Sequence, residues 1–134
     1  MVQSCDFVKA AHLLNAITEG LQRDPSGTTV SVKARRPLDS IDGYVVGGSE
    51  VKELVTSYFL TPDEELALKG WLAELPEDAG FIGAWLNEDT NNYHFDMVDI
   101  YINYDVAMVV AERRGELAIW DGFAQESIDV VDFS

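Results

Sequence analysis

The stretch NNYHFDMVDI, residues 91–100, sets His94, Asp96 and Asp99 inside an otherwise apolar run. An imidazole and carboxylates this close could exchange protons or hold a metal ion. A strand alternates its faces. His94 and Asp96 therefore share one side with Val98, Ile100 and Ile102, and Asp99 lies opposite with Tyr93, Phe95, Met97 and Tyr101. Asp121, in the later run IWDGF, is the further candidate. His94, Asp96 and Asp121 are the set this sequence offers a small hydrolase-like enzyme. Each has a plainer reading. Asp121 before Gly122 is a turn former that bonds the backbone two residues on. The first half of the 93–102 strand would run past the sheet edge into solvent, with Val98, Ile100 and Ile102 meeting the helices. On that reading no metal and no cofactor is expected.

Other motifs are thinner. Gly47–Gly48 lacks the further glycine and the lysine of a phosphate loop. Cys5 is the only cysteine, which excludes an intramolecular disulfide and a thiolate zinc site. A nucleophile pair of Cys5 with His12 has no base close in sequence and an acid, Asp6, beside it. There is no Gly-x-Ser-x-Gly elbow. The basic cluster Lys33–Arg36 is small and is expected to pair with local acids.

Charge is the strongest compositional signal. The net charge is −15, and it is uneven: residues 1–36 hold five bases and three acids, residues 37–134 four bases and 21 acids. Such a body repels nucleic acid and anionic membrane. It suits a basic protein surface, and its plainer reading is solubility alone. The acids expected to bind it are Asp63, Glu64 and Glu65 at a helix start, and Glu74, Glu77 and Asp78 past its end. The N-terminus has neither the basic start of a signal peptide nor an apolar span, so the expected location is the cytoplasm.

These residues need elements to position them. A chain of 134 residues is one domain. Phe7, Ala10, Ala11, Leu14, Ile17 and Leu21 form a helical stripe behind an N-cap at Ser4. Thr28–Val32 and Tyr44–Gly48 are strands, and Lys33–Gly43 is a polar connection. Residues 49–60 suit helix and strand alike. Thr61, Pro62 and Glu64 open a second helix with a capping box, and Leu66, Trp71, Leu72 and Leu75 face inward. Phe81–Leu86 and Tyr93–Ile102 form a hairpin. Asn103 caps a third helix, with a stripe of Val106, Val109 and Val110 and Gly115 at its end. Leu117–Trp120 and Ser127–Phe133 pair last. The class is α+β: one domain over residues 1–134, a mostly antiparallel sheet of about five or six strands, two or three helices on one face. The expected core anchors are Trp85, Ile100, Val109 and Ile119.

Gly83, Trp85, Asp96, Ala107 and Ile119–Trp120–Asp121, with the Asp42–Gly48 stretch DGYVVGG, carry a resemblance. The chain resembles small uncharacterised proteins of actinobacterial phages and prophages over about its last 55 residues. The resemblance implies a phage or mobile-element setting and no known activity. The reading that follows is a non-enzymatic acidic protein that binds a basic protein, as an inhibitor that imitates phosphate spacing in a nucleic-acid-binding groove. An immunity-type protein against a basic toxin, a virion-assembly factor and the small hydrolase are the alternatives.

Overall fold

A computed structural model describes residues 4–49 and 51–130, with only the backbone at Ser4, Cys5 and Asp6. The cap expected from Ser4, the Cys5–His12 pairing and the end of the strand drawn to Phe133 lie outside the described side chains and residues. Helix α1 spans Ser4–Arg23, α2 Pro62–Ala73 and α3 Tyr104–Arg113. The strands are β1 (Gly27–Ser31), β2 (Arg36–Pro37), β3 (Tyr44–Val46), β4 (Leu54–Ser57), β5 (Phe81–Asn87), β6 (Asn92–Tyr101), β7 (Ala118–Asp121) and β8 (Glu126–Asp129). All pair antiparallel, in the order β2-β1-β5-β6-β3-β7-β8, with β4 also on β6. No helix among the described residues is long and apolar enough to cross a membrane.

The fold is α+β, with eight strands against the five or six expected. The extra ones are short. β2 is two residues inside the polar connection, and it turns back on β1 through Arg35 at φ 56°. Within the ambiguous stretch 49–60, Leu54–Ser57 form the strand β4, paired along β6 from Leu54↔Phe95 to Ser57↔Asn92. The capping box at Thr61 and Glu64 forms as read, as does the Asn103 cap, whose Oδ1 accepts from Val106 N–H at 3.0 Å. Gly115 ends α3 at φ 73°, the left-handed conformation that favours glycine.

One face of the sheet meets all three helices. Tyr93, Phe95 and Met97 of β6, with Ile82, Ala84 and Val30, pack on Leu13, Ile17, Leu68 and Leu72 of α1 and α2. Farther along, Val46 and Ile119 pack on Ala107, Met108 and Ala111 of α3. This reverses the expected facing of β6: the odd-numbered side goes in, and Ile102 is 82% exposed. Both faces of this strand are apolar, and the side with two aromatics and a methionine has the larger area to bury. The first half of β6 does not run past an edge either, since β4 and β5 flank it.

Two expected anchors are therefore on the surface. Trp85 lies on the face without helices, between Gly27 and His94, and is 46% exposed. Val109 is 40% exposed because α3 turns Ala107, Met108 and Ala111 inward instead. Ile119 is buried as expected and Ile100 is half-buried. Leu66, expected inward on α2, is exposed, whereas Leu68 and Leu72 are fully buried.

Phe95→Ala removes a fully buried aromatic and should cost about 3–5 kcal/mol. Trp85→Ala removes a half-exposed ring and should cost about 1 kcal/mol, the scale of one aromatic contact. Urea unfolding of both variants checks this, and equal losses would overturn the assignment of faces.

Candidate functional site

Asp96 sits where β6 loses a neighbour. β4 pairs β6 up to Phe95 and β3 pairs it from Asp99. Between them Gly47–Ser49 and Val51–Glu53 lie off β6, and the first part of this excursion reaches back to Asp96. Gly48 N–H donates to Asp96 Oδ2 at 2.7 Å. The residue is only 8% exposed, and its Oδ1 is buried without a hydrogen-bond partner. Glu116, just after α3, approaches from the other side of Gly47. Its Oε1 and Asp96 Oδ2 each stand 2.6 Å from where a Cβ on Gly47 would sit. The two oxygens are thus no farther apart than twice that, and only glycine fits between them.

Burial lifts the pKa of both carboxyls above their ordinary values. At Asp96 the Gly48 N–H opposes this and the charge of Glu53 adds to it. At Glu116 the charges of Asp96 and then Glu53 add to burial, and Arg114 opposes it. Arg114 itself donates to Asp99 Oδ2 at 2.7 Å and to Gly47 O at 3.2 Å, so it staples the helix end to the excursion. His94 Nδ1 lies 3.2 Å from Glu53 Oε1 without hydrogen-bond geometry, and the ring stacks on Trp85 at 4.4 Å and 15°.

The structure brings His94 and Asp96 together with Glu53 and Glu116. It does not bring in Asp121. Asp121 is level with Tyr44, which is level with Tyr101, five residues along β6 from Asp96. That is about 16 Å along the strand direction, two strands across and on the helix-facing side. Its Oδ1 accepts from the N–H groups of Phe123 and Ala124, at 2.9 and 3.1 Å, as a turn former does. Among the described residues no group of three or more His, Cys, Asp or Glu is placed to hold a metal ion.

The second candidate is the acidic pair of clusters around α2. Glu64 is not free to bind. It accepts from the Oγ–H and N–H of Ser57 and from Thr61 N–H, and these bonds hold its pKa at about 2. Asp63, Glu65, Glu74, Glu77 and Asp78 are exposed, and among the described residues no Lys or Arg lies within 4.0 Å of them. Lys33, Arg35 and Arg36 likewise make no such ion pair there, contrary to expectation, because the β1–β2 turn holds them out in solvent. Twelve residues of α2 separate the two acidic ends by about 18 Å. On the same helix pair lies a shallow apolar recess lined by Phe7, Ala10, Leu66, Lys69 and Gly70. Phe7 and Leu66 are both more than half exposed. Hydropathy spacing had placed Leu66 in the core, so the recess was hidden.

Compared with family models, with curated proteins and with solved structures, the chain matches none.

The carboxyls predict opposite pH responses. The fold favours neutral Asp96 more than the unfolded chain does. That contribution is full below the unfolded pKa and is lost as pH rises through the raised folded value. Glu64 contributes above its unfolded pKa of 4.5 and loses this as pH falls through about 2. Asp96→Asn keeps an oxygen for Gly48 N–H and cannot ionise. Its urea midpoint should fall less than that of the wild type between about pH 4 and pH 8. Parallel profiles would show that Asp96 ionises without cost.

Proposed function

We propose that this chain works by binding a basic protein through the α1–α2 face, and that it is not an enzyme. The observation that carries this is the layout of that face. Exposed Phe7 and Leu66 flank an apolar recess, and exposed carboxylates without an ion pair among the described residues stand at both ends of α2. An apolar centre with a charged rim is the anatomy of a protein interface. The rim charge gives encounter rate and selects a basic partner, and the apolar centre gives residence. With the charge of −15 and the phage-like pattern of the C-terminal half, this supports a cytoplasmic inhibitor of a basic nucleic-acid-binding protein, from a phage or mobile element. An immunity-type protein against a basic toxin would use the same surface.

The partner is sought by affinity capture from the host at low and high salt. Capture should weaken steeply with salt, since the Debye length shrinks from about 10 Å at 0.1 M to about 3 Å at 1 M. Replacing Glu74 and Glu77 by Gln and Asp78 by Asn should slow association with the captured protein and leave stability within about 0.5 kcal/mol. Leu66→Ala should speed dissociation instead. Wild-type rates for both variants would overturn this assignment of the surface.

A further inference from the structure

The edges of the sheet are β2, β4 and β8. β2 is two residues long, and on β4 the N–H of Ser57 is taken by Glu64. Among the described residues β8 pairs only with β7. Val130 N–H donates to the carbonyl of Leu117 at 2.9 Å. In an antiparallel pair the bonded residues alternate. In this register Glu126, Ile128 and Val130 therefore turn their main-chain groups to β7, and Ser127 and Asp129 turn theirs outward. Both of these residues are exposed. The main-chain groups along such an edge are completed by another extended chain.

Charge decides which chain. Residues 116–134 hold five acids and no Lys or Arg. Glu116 lies beside Gly47, and Asp121 is engaged in its own turn. Glu126 and Asp129 stand exposed on β8, one on each face, with no Lys, Arg or His within 4.0 Å among the described residues. An incoming strand thus meets a carboxylate on either side of the sheet. A second copy would bring the same two acids, and like charges across a ladder repel. An uncharged chain would have the main-chain bonds alone. A basic one adds attraction to both carboxylates.

We propose that the outer edge of β8 is a docking site for an extended, basic segment of another protein. The segment adds to the sheet as a further strand through the main chain of Ser127 and Asp129, with its Lys or Arg side chains against Glu126 and Asp129. Helices α1 and α2 pack on β1, β5 and β6, toward the other end of the sheet, so the inference does not rest on the α1–α2 reading.

The probe is a short synthetic peptide in which Lys-Lys pairs alternate with Thr-Val pairs, titrated into the whole chain at low salt. Amide exchange read by nuclear magnetic resonance locates it. The N–H groups of Ser127 and Asp129 should exchange more slowly with peptide bound, and that of Ile128, already turned to β7, should not change. A counterpart with Glu for Lys should not bind. Nor should the Lys peptide N-methylated at two consecutive central residues, since neighbouring N–H groups of a strand point to opposite edges and both are then blocked. Ser127→Pro removes an outward N–H and spares the β7 ladder, as proline on an edge strand can. It should weaken binding at least about fivefold, the scale of one hydrogen bond, with an unchanged circular dichroism melt. Should Ser127→Pro fail to fold, the methylated peptide on the wild-type chain gives the second measurement. No binding of the Lys peptide, binding that leaves Ser127 and Asp129 unprotected, or equal binding of its methylated form would each overturn the proposal.

Discussion

Strand β6 must satisfy two sets of neighbours at once, and the rest of the molecule follows from how it does so. Over Asn92–Val98 it pairs with β5, and on its other edge it pairs with β4 and then β3. A shift of one residue would exchange every side chain between faces. Phe95, with no exposed surface, fixes the register by what it buries. From that register come the helix-facing core, the stacking of His94 on Trp85, and the break opposite Asp96. The break follows because β3 and β4 are too short to meet. A buried carboxyl there is expensive unless it is neutral or bonded. Gly48 N–H supplies one bond, and the raised pKa shows the fold leaning toward the neutral form.

The elements that carry their own end signals were legible. Thr61, Pro62 and Glu64 open α2, and Asn103 and Gly115 bracket α3, because caps are local hydrogen bonds between near neighbours. The hairpin of β5 and β6 was legible from its turn and its alternation. Facing was not. β6 and α3 are apolar on both sides, so periodicity could not say which side meets the core, and Trp85 and Val109 were placed inside. β2 was missed because two residues in a basic turn carry no pattern. Half of the carboxylate site was visible, since His94 and Asp96 are two residues apart. Glu53 and Glu116 join them only through the fold, and the one trace was the Gly47–Gly48 pair, whose lack of side chains admits two carboxylates.

The acids divide by what holds them. Asp99 is bonded to Arg114, Asp121 to its own turn, and Glu19 and Asp39 to Arg23. Glu64 is consumed by the α2 cap and β4. Net charge therefore overstates the freely acting surface, whereas the exposed carboxylates at the ends of α2 have no Lys or Arg within 4.0 Å among the described residues. Exposed ion pairs such as Arg23–Asp39 add little to stability. Their effect is to remove charge from the side of the molecule near the end of α1.

The open rims of the sheet bear on a different property. A free strand edge is a template on which further chains can add without limit, the first step toward a fibre. Here β2 offers only two residues, and β8 presents Glu126 and Asp129, whose repulsion opposes an incoming copy. On β4, Glu64 fills the N–H of Ser57, a donor that a docking strand would need. The capping glutamate of α2 thus also occupies a donor on the β4 edge, and Glu64→Ala would expose both a helix end and a strand edge at one stroke.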